Sequence, residues 1–282
     1  MSKAHWIGGA LLIGLMGTGA WWWRASLQPT RVAGPAPVAA AAVADAASRP
    51  AVAASAPAIQ FPIDTSTQVS AAATPPDLGA ALADLFGRKA VQSLFQLDDF
   101  AHRFVATVDN LGRSHAPMRL SPLHPAPGRF TVAAQGDGVA VSADNGLRYT
   151  PYVLLIETVD MGKLVATYRQ FYPLFQRAFE ELGYPGRYFN DRLVAVIDQT
   201  LAAPQLTGPL KVRLPAINGP VQPPRPWVLY EFADPALQDL AAGQKILLRM
   251  GSVNEARVRI KLVELRRLVA AGAAPRESAS VR

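Results

Sequence analysis

Three pairs of carboxylates are the residues of this chain best suited to acid–base chemistry. They are Asp98 with Asp99, Glu180 with Glu181, and Glu157 with Asp160. A hydrolase that works with two carboxylates needs both of them to face one bond. Side chains of neighbouring residues on a helix diverge by about 100°, so the first two pairs do not converge. Asp160 fits better as the N-cap of a helix.

Other catalytic and metal-binding signatures are missing from the sequence. There is no cysteine, which excludes disulfides, thiolate nucleophiles and Cys-ligated metals. His115 and His124 share a Pro-rich loop, but no third ligand accompanies them at metal-binding spacing. No phosphate-binding loop, nucleophile elbow or H-E-x-x-H motif occurs. The sequence therefore favours a non-enzymatic function and predicts no metal or other cofactor.

A group of aromatic and polar residues is the best candidate for a binding site. Tyrosine and arginine often bind partners because they combine a large contact area with a polar tip. Most of the group flank predicted helix ends, which could line one groove. The alternative is structural, with Arg192 paired to Asp191 or Asp198 and the tyrosines capping the core. The candidate binding residues are Arg148, Tyr149, Tyr168, Tyr184, Asn190, Arg192 and Asp198.

Helices must position most of these residues. Apolar side chains recur every three or four positions in several stretches, which predicts amphipathic helices. Pro173 should kink or split the longest of them, and Gly243 should close a short helix that begins after Asp234. Asp98 is the predicted N-cap of the helix that starts near residue 100, and Gly112 its left-handed stop. The helices are predicted at 77–87, 88–97, 100–111, 144–159, 160–182, 189–201, 235–243 and 252–271, with another turn or two at 244–250.

Two β-hairpins complete the predicted domain. Residues 130–134 alternate apolar with polar or small side chains, and a Gly-Asp-Gly turn connects them to a second short strand at 139–141. A second hairpin pairs the strand at 210–214 with residues 227–232. Few strands among many helices predict an α+β fold: a mainly helical globular domain over residues 77–271, followed by a disordered tail at 272–282.

The N-terminal residues 1–24 are predicted to be a transmembrane anchor. Residues 4–23 are apolar without any acid, Lys or Arg, and a helix of about twenty residues crosses a bilayer. Trp6 at one end and Trp21, Trp22 and Trp23 at the other suit the two membrane interfaces. A cleaved signal peptide is the alternative, although three tryptophans after the cleavage position disfavour it.

Small residues on the anchor and charges around it bear on pairing and orientation. Ala10, Gly14 and Thr18 recur every four positions, which would let two such helices pack closely as a homodimer. Basic residues lie on both sides of the span, so the positive-inside rule does not decide the orientation. We favour the inner membrane with a periplasmic C-terminal domain, because a long Pro/Ala tether suits an extracytoplasmic spacer.

Residues 25–76 are predicted to be a disordered linker. They include 18 alanines and 8 prolines, and proline repeatedly removes a backbone donor and fixes φ. A short apolar island within the linker, Ile59, Phe61 and Ile63, is interpreted as an incidental patch, with a docking peptide as the alternative. From Asp77 onward the chain has 24 Lys and Arg and 19 Asp and Glu, a net charge of +5 that favours anionic partners.

Several sequence blocks in order resemble a catalogued family. They are TVDNL at 107–111, RY at 148–149, ELGYP at 181–185, FNDRL at 189–193, YEFADP at 230–235, and GQK with RMG at 243–251. Together they resemble the domain-of-unknown-function 3014 family of Gram-negative bacteria, over roughly residues 82–268. The resemblance implies a short anchor, a variable linker and an envelope location, and it brings no activity or site residue.

These observations lead to one functional prediction and one alternative. The chain is predicted to be an envelope scaffold or adaptor that presents a periplasmic interaction domain to an envelope protein or an anionic polymer. No nucleic acid is expected if the domain is exported. The alternative is an exported hydrolase or a cell-wall polymer-binding domain that uses the tyrosine and arginine residues.

Overall fold

The computed structural model describes residues 58–64, 77–216 and 224–271. The predicted anchor, its tryptophans, most of the predicted linker and the tail at 272–282 lie outside these ranges. Among the described residues, no helix has both the length and the apolar character needed to cross a bilayer.

The described residues form ten α-helices, four β-strands and two short 3-10 helices. The α-helices are α1 Leu78–Phe86, α2 Arg88–Leu94, α3 Phe100–Leu111, α4 Asn145–Thr158, α5 Met161–Gln170, α6 Tyr172–Glu181, α7 Phe189–Leu201, α8 Pro235–Gln238, α9 Ala242–Arg249 and α10 Ser252–Val269. The strands are β1 Val132–Gln135, β2 Gly138–Val141, β3 Lys211–Arg213 and β4 Glu231–Phe232. The 3-10 helices are Met118–Leu120 and Pro226–Val228. The prediction of a mainly helical α+β domain is therefore confirmed.

The largest apolar core lies where α3, α5, α6, α7 and α10 meet. Phe171, Phe175 and Phe189 are almost completely buried there. Phe189 contacts the rings of Phe104 on α3 and Phe179 on α6, with centroids 5.9 and 5.5 Å apart. Large aromatic side chains bury the most area per residue, so this cluster fixes how the five helices pack.

Pro173 splits the longest predicted helix, as expected. The chain leaves helical geometry at Phe171, and Pro173 occupies the first turn of α6. Proline is tolerated in a first helical turn because the N–H that it lacks would have no partner there. Asp160 caps α5 by accepting a hydrogen bond from the Lys163 backbone N–H at 2.9 Å, which confirms its predicted role.

The two predicted hairpins join into one antiparallel sheet with the order β1-β2-β3-β4. β2 pairs with β3 through Val139 opposite Val212, and β3 pairs with β4 through Val212 opposite Phe232. Val212 and Phe232 pack together with Leu248 of α9 in a separate apolar cluster. The sheet therefore has its own core, to which α8 contributes Leu237 and α9 contributes Leu248.

Three predicted helix ends are wrong. The N-cap of α3 is Asp99, in left-handed geometry with φ 54°, and not Asp98. Gly112 follows α3 in right-handed helical geometry with φ −79°, so it is not a left-handed stop. α8 already ends at Gln238, and Gly243 lies inside α9. At Gly243 the reason is close packing, because a Cβ there would lie 2.7 Å from Thr200 Oγ1 of α7.

Residues 58–64, which we call the docked segment, pack on the helical domain. Ile63 is 8% exposed and belongs to the main core, and Phe61 packs against the same core. Ile59 is 54% exposed. The apolar island is therefore a docked peptide, and its interpretation as an incidental patch is wrong.

Candidate functional site

An apolar cavity of about 350 Å³ opens between α1, α3, α4 and α5. Leucine and phenylalanine side chains supply most of its walls. The leucines are Leu78, Leu82, Leu85, Leu111, Leu123, Leu155 and Leu164, and the phenylalanines are Phe86, Phe95, Phe100, Phe104 and Phe175. Its size falls within the range of about 300–1,000 Å³ that is typical of small-molecule sites.

Four polar side chains in the wall form hydrogen bonds within the protein. Thr107, Ser121 and Tyr152 each donate a hydroxyl hydrogen to a backbone carbonyl of the loop that follows α3, at 2.9, 2.8 and 2.9 Å. Tyr168 donates to Asn190 Oδ1 at 3.1 Å, and burial raises its pKa so that it keeps the donated proton. These hydroxyl groups therefore already donate within the protein and offer no free donor to a ligand in the cavity.

Helix α1 forms a separate wall of the cavity. It is connected to α2 by the single residue Gly87, whose φ of 84° suits glycine but strains other residues. Leu82 of α1 packs with Val91 of α2 and with Phe95 in a small apolar cluster of its own. α1 thus lines the cavity, while α2 supports α1 from behind through a turn that depends on one glycine.

The seven candidate binding residues occupy several places and do not line one groove. Tyr168 and Asn190 lie in the main core, where Asn190 is completely buried. Arg148 donates to the Pro127 carbonyl at 2.9 Å, and its guanidinium lies 5.8 Å from the Tyr149 ring centroid. Asp198 forms an ion pair with Arg266 at 2.9 Å. A binding role for each residue stays a prediction.

Arg192 and Tyr184 meet at a buried carboxylate that the sequence analysis did not single out. Asp109 is 2% exposed, and Arg192 Nε and Arg113 Nη2 bind its carboxylate at 2.9 and 2.6 Å. The Tyr184 hydroxyl donates to the same carboxylate at 3.2 Å. Arg192 thus has a structural partner, but it is neither Asp191 nor Asp198. The two guanidinium groups offset the cost of burying this carboxylate.

Asp99 and Glu181, which belong to two different candidate carboxylate pairs, both bind His102. His102 lies between Asp99, at 2.5 Å from Nδ1, and Glu181, at 2.7 Å from Nε2. Hydrogen bonds to Glu181 first and to Asp99 second raise the pKa of His102. The spacing of Asp99 and His102 on one helix could have indicated half of this contact. The Glu181 half depends on how α6 packs against α3.

Glu157, a member of the third carboxylate pair, has a structural partner. Glu157 pairs with Arg257 at 3.4 Å. Across the described ranges, no group of three or more His, Cys, Asp or Glu side chains has the geometry to hold a metal ion.

The docked segment defines a second site, the docking groove, formed by Tyr188, Asn190 and Asp191 at the start of α7 and by Val269 at the end of α10. Asp191 accepts hydrogen bonds from the backbone N–H groups of two segment residues. Asn190 donates to the Phe61 carbonyl, and the Tyr188 hydroxyl accepts from the Ile63 N–H. Sequence reasoning identified Asn190 but assigned it to another groove.

Comparison with known proteins identifies the class. The family described as "Protein of unknown function (DUF3014)" matches residues 100–266, which is more than half of the chain. The chain therefore belongs to this family, and the resemblance stated from the sequence blocks is confirmed. The comparisons with curated proteins and with solved structures gave no match. The matched region includes α3, α4 and α5 of the cavity but neither α1 nor the docked segment.

Proposed function

We propose that the chain is a single-pass inner-membrane adaptor whose periplasmic domain holds a lipid acyl chain in the apolar cavity. The observation that carries the proposal is the cavity itself: about 350 Å³ of space with walls of leucine and phenylalanine. A dry apolar cavity of about 150 Å³ already binds benzene or xenon, so this one has room for a longer chain. In the inner membrane, acyl chains are the most abundant apolar ligands.

The wall chemistry argues for a hydrocarbon ligand over a sugar. Burying a hydroxyl group without a hydrogen-bond partner costs about 1–3 kcal/mol, and a sugar brings several hydroxyls. Tyr152 and Tyr168 use their own donors within the protein. The cavity therefore supports neither the hydrolase nor the cell-wall polymer alternative.

Sequence features support the membrane location and the anionic partner in this proposal. Residues 1–24 anchor the chain, with Trp6 and Trp21 to Trp23 at the interfaces, and Ala10, Gly14 and Thr18 pair two anchors. The net charge of +5 from Asp77 onward favours an anionic lipid headgroup, an anionic polymer or an acidic envelope protein at the domain surface.

A photoactivatable, alkyne-tagged fatty acid tests the proposal in cells that express the full chain. After irradiation, crosslinked peptides from residues 77–271 are quantified separately from peptides of the anchor, which contacts lipid in any case. We expect crosslinks on peptides of α3, α4 and α5, because these helices line the cavity.

A matched pair of substitutions makes the experiment specific. Leu164 lines the cavity, whereas Leu147 on α4 is 71% exposed and does not. Leu164→Trp fills the space and should lower domain crosslinking about tenfold, the equivalent of about 1.4 kcal/mol of binding free energy. Leu147→Trp should leave it unchanged. Equal domain crosslinking in both variants, or none in the wild type, would show that the cavity holds no acyl chain.

A further inference from the structure

Asn190 connects the docked segment to the wall of the apolar cavity. The residue is completely buried, and its Oδ1 accepts a hydrogen bond at 3.1 Å from the hydroxyl of Tyr168, a wall residue. Its Nδ2 donates to the Phe61 carbonyl of the docked segment at 2.8 Å and to the Val269 carbonyl at 3.0 Å. One side-chain amide therefore binds the cavity wall through its oxygen and the docked segment through its nitrogen.

The Phe61 and Val269 carbonyls together decide which way this amide points. Both accept from Nδ2, so the two amide hydrogens are used and Oδ1 faces the Tyr168 hydroxyl. A flipped amide would place a donor against the Tyr168 proton and an acceptor against the carbonyl oxygens. Without the Phe61 carbonyl, one of the two acceptors that oppose this flip is lost. The docked segment thus helps to keep an acceptor next to the tyrosine.

The docked segment presents the Phe61 carbonyl from a bend at Gln60 and Phe61. The N–H groups of these two residues donate to the Asp191 carboxylate at 3.0 and 2.8 Å. The Ile63 N–H donates to the Tyr188 hydroxyl at 2.7 Å, and the Ile63 side chain is buried in the main core. These contacts hold the Phe61 carbonyl in place on the buried amide.

Tyr168 contributes an aromatic ring to the cavity wall. The ring stacks on Phe175, another wall residue, with centroids 5.7 Å apart and 13° between the ring planes. Because the Tyr168 hydroxyl donates to Asn190 in the main core, its proton is paired within the protein. A hydroxyl without this acceptor would pair with water in the empty cavity, and a hydrocarbon chain would have to displace that water without replacing its hydrogen bond. Pairing of the hydroxyl with Asn190 therefore favours an apolar ligand.

We infer that Asn190 is a positioning residue of the cavity and that the docked segment sets its orientation, so that the cavity binds an acyl chain tightly only while residues 58–64 are docked. The inference rests on the proposed function, because it concerns the affinity of the same cavity. Neither Asn190 nor the docked segment needs to touch the ligand, since both act through the Tyr168 hydroxyl. The docked segment is thus a built-in control on ligand affinity.

A matched pair of substitutions in the docked segment tests the inference in membranes that contain the full chain. Ile63→Asp places a carboxylate in the main core and should release the segment, whereas Ile59→Asp makes the same change at an exposed position. Crosslinking of residues 77–271 is measured against the concentration of the photoactivatable fatty acid. Ile63→Asp should raise the half-saturating concentration about tenfold, as expected when a buried donor loses its acceptor. Ile59→Asp should leave it unchanged.

Release of the docked segment is verified by hydrogen exchange of the Gln60, Phe61 and Ile63 amides, and folding by circular dichroism. If the Ile63 variant keeps these amides protected or does not fold, Asp191→Ala takes its place, because it removes the acceptor of two segment N–H groups. The expected change in half-saturating concentration is the same for both variants.

Tyr168→Phe decides whether the effect depends on the hydroxyl group. In this background the donor is absent, so Ile63→Asp and Ile59→Asp should have the same half-saturating concentration. A difference that persists there would mean that the segment acts by another route, and an unchanged concentration in Ile63→Asp alone would mean that it has no effect. Either result overturns the inference while the proposed function stands. Absence of domain crosslinking in the wild type would overturn both.

Discussion

At the scale of single residues, polar side chains that looked available for binding have partners inside the domain. Asp109 shows why sequence could not reveal this. Its carboxylate is 2% exposed, and its partners Arg113, Tyr184 and Arg192 come from three separate parts of the chain. Removing one partner of a buried ion pair typically costs about 3–5 kcal/mol, so the network acts as a structural clamp.

Because His102 lies between two carboxylates, its contribution to the free energy of unfolding should depend on pH. Because Glu181 and Asp99 raise the pKa of His102, its contribution is complete below its unfolded pKa of about 6.5 and is lost as pH rises through the higher folded value. His102 in turn lowers the pKa of Glu181, with Arg177 as the second cause. The contribution of Glu181 to the free energy of unfolding is therefore present above the unfolded glutamate pKa of about 4.3, and it is lost as pH falls through the lower folded pKa.

His102→Gln should therefore reduce thermal stability at pH 5.5 more than at pH 8.5. The measurement is the melting temperature of both proteins across that range. The effect is modest because His102, Asp99 and Glu181 are all about half exposed and solvent screens them. A difference between wild type and variant that does not change with pH would contradict the assignment of this ion-pair cluster.

At the scale of elements, Gly243 lies where α9 packs closely against α7 and α3. A Cβ at this position would lie 2.7 Å from Thr200 Oγ1 of α7 and 3.3 Å from the Leu111 carbonyl of α3. The Ala242 N–H also donates to the Arg113 carbonyl at 2.6 Å. Glycine inside this helix is therefore required by packing, which explains why its interpretation as a helix end failed.

Gly243→Ala should destabilise the domain by about 1–3 kcal/mol, the usual cost of overpacking. An unconstrained helical glycine would instead gain about 0.5–1 kcal/mol on the same change. Urea denaturation measures the free energy of unfolding. Adding Thr200→Ala removes the nearest atom and should recover part of the loss. A stabilising Gly243→Ala, or no recovery in the double variant, would mean that the helices are not in close contact there.

Sequence patterns predicted elements well where the signal is local. The bounds of α7 and the break at Pro173 followed from apolar spacing and from proline geometry. The pairing of both hairpins in one sheet could not be predicted in this way, because the β2–β3 pairing joins residues some seventy positions apart. Long-range pairing has no local signature, and the same reason hid the meeting of His102 with Glu181.

At the scale of the whole molecule, the sequence predicted a domain, a linker and an anchor, but it did not identify either site. The cavity depends on how α1 packs over α3, α4 and α5, and apolar residues that line a cavity have the same spacing as those that fill a core. The docked segment was visible as three apolar residues in an Ala/Pro background. Its partners on α7 could be recognised only after folding.

Topology is the prediction that belongs to this scale. Alkaline phosphatase fused after Arg282 should be active, and a fluorescent protein that matures only in the cytoplasm should stay dark at the same position. The single apolar stretch at 4–23 would leave everything after it on one side of the membrane, and the long Pro/Ala stretch at 25–76 favours the periplasmic side. A fluorescent fusion with inactive phosphatase would invert the orientation and remove the periplasmic assignment.

The docked segment also decides where mechanical load enters the domain. A chain pulled from its N-terminus transmits force to residue 58 first, so the docking groove bears the tension before α1 does. Four backbone hydrogen bonds and the Phe61 and Ile63 anchors would yield as a unit. Their release would add residues 58–76 to the tether, a contour length on the order of 60 Å. Under load the domain would thus lengthen its N-terminal connection in one step.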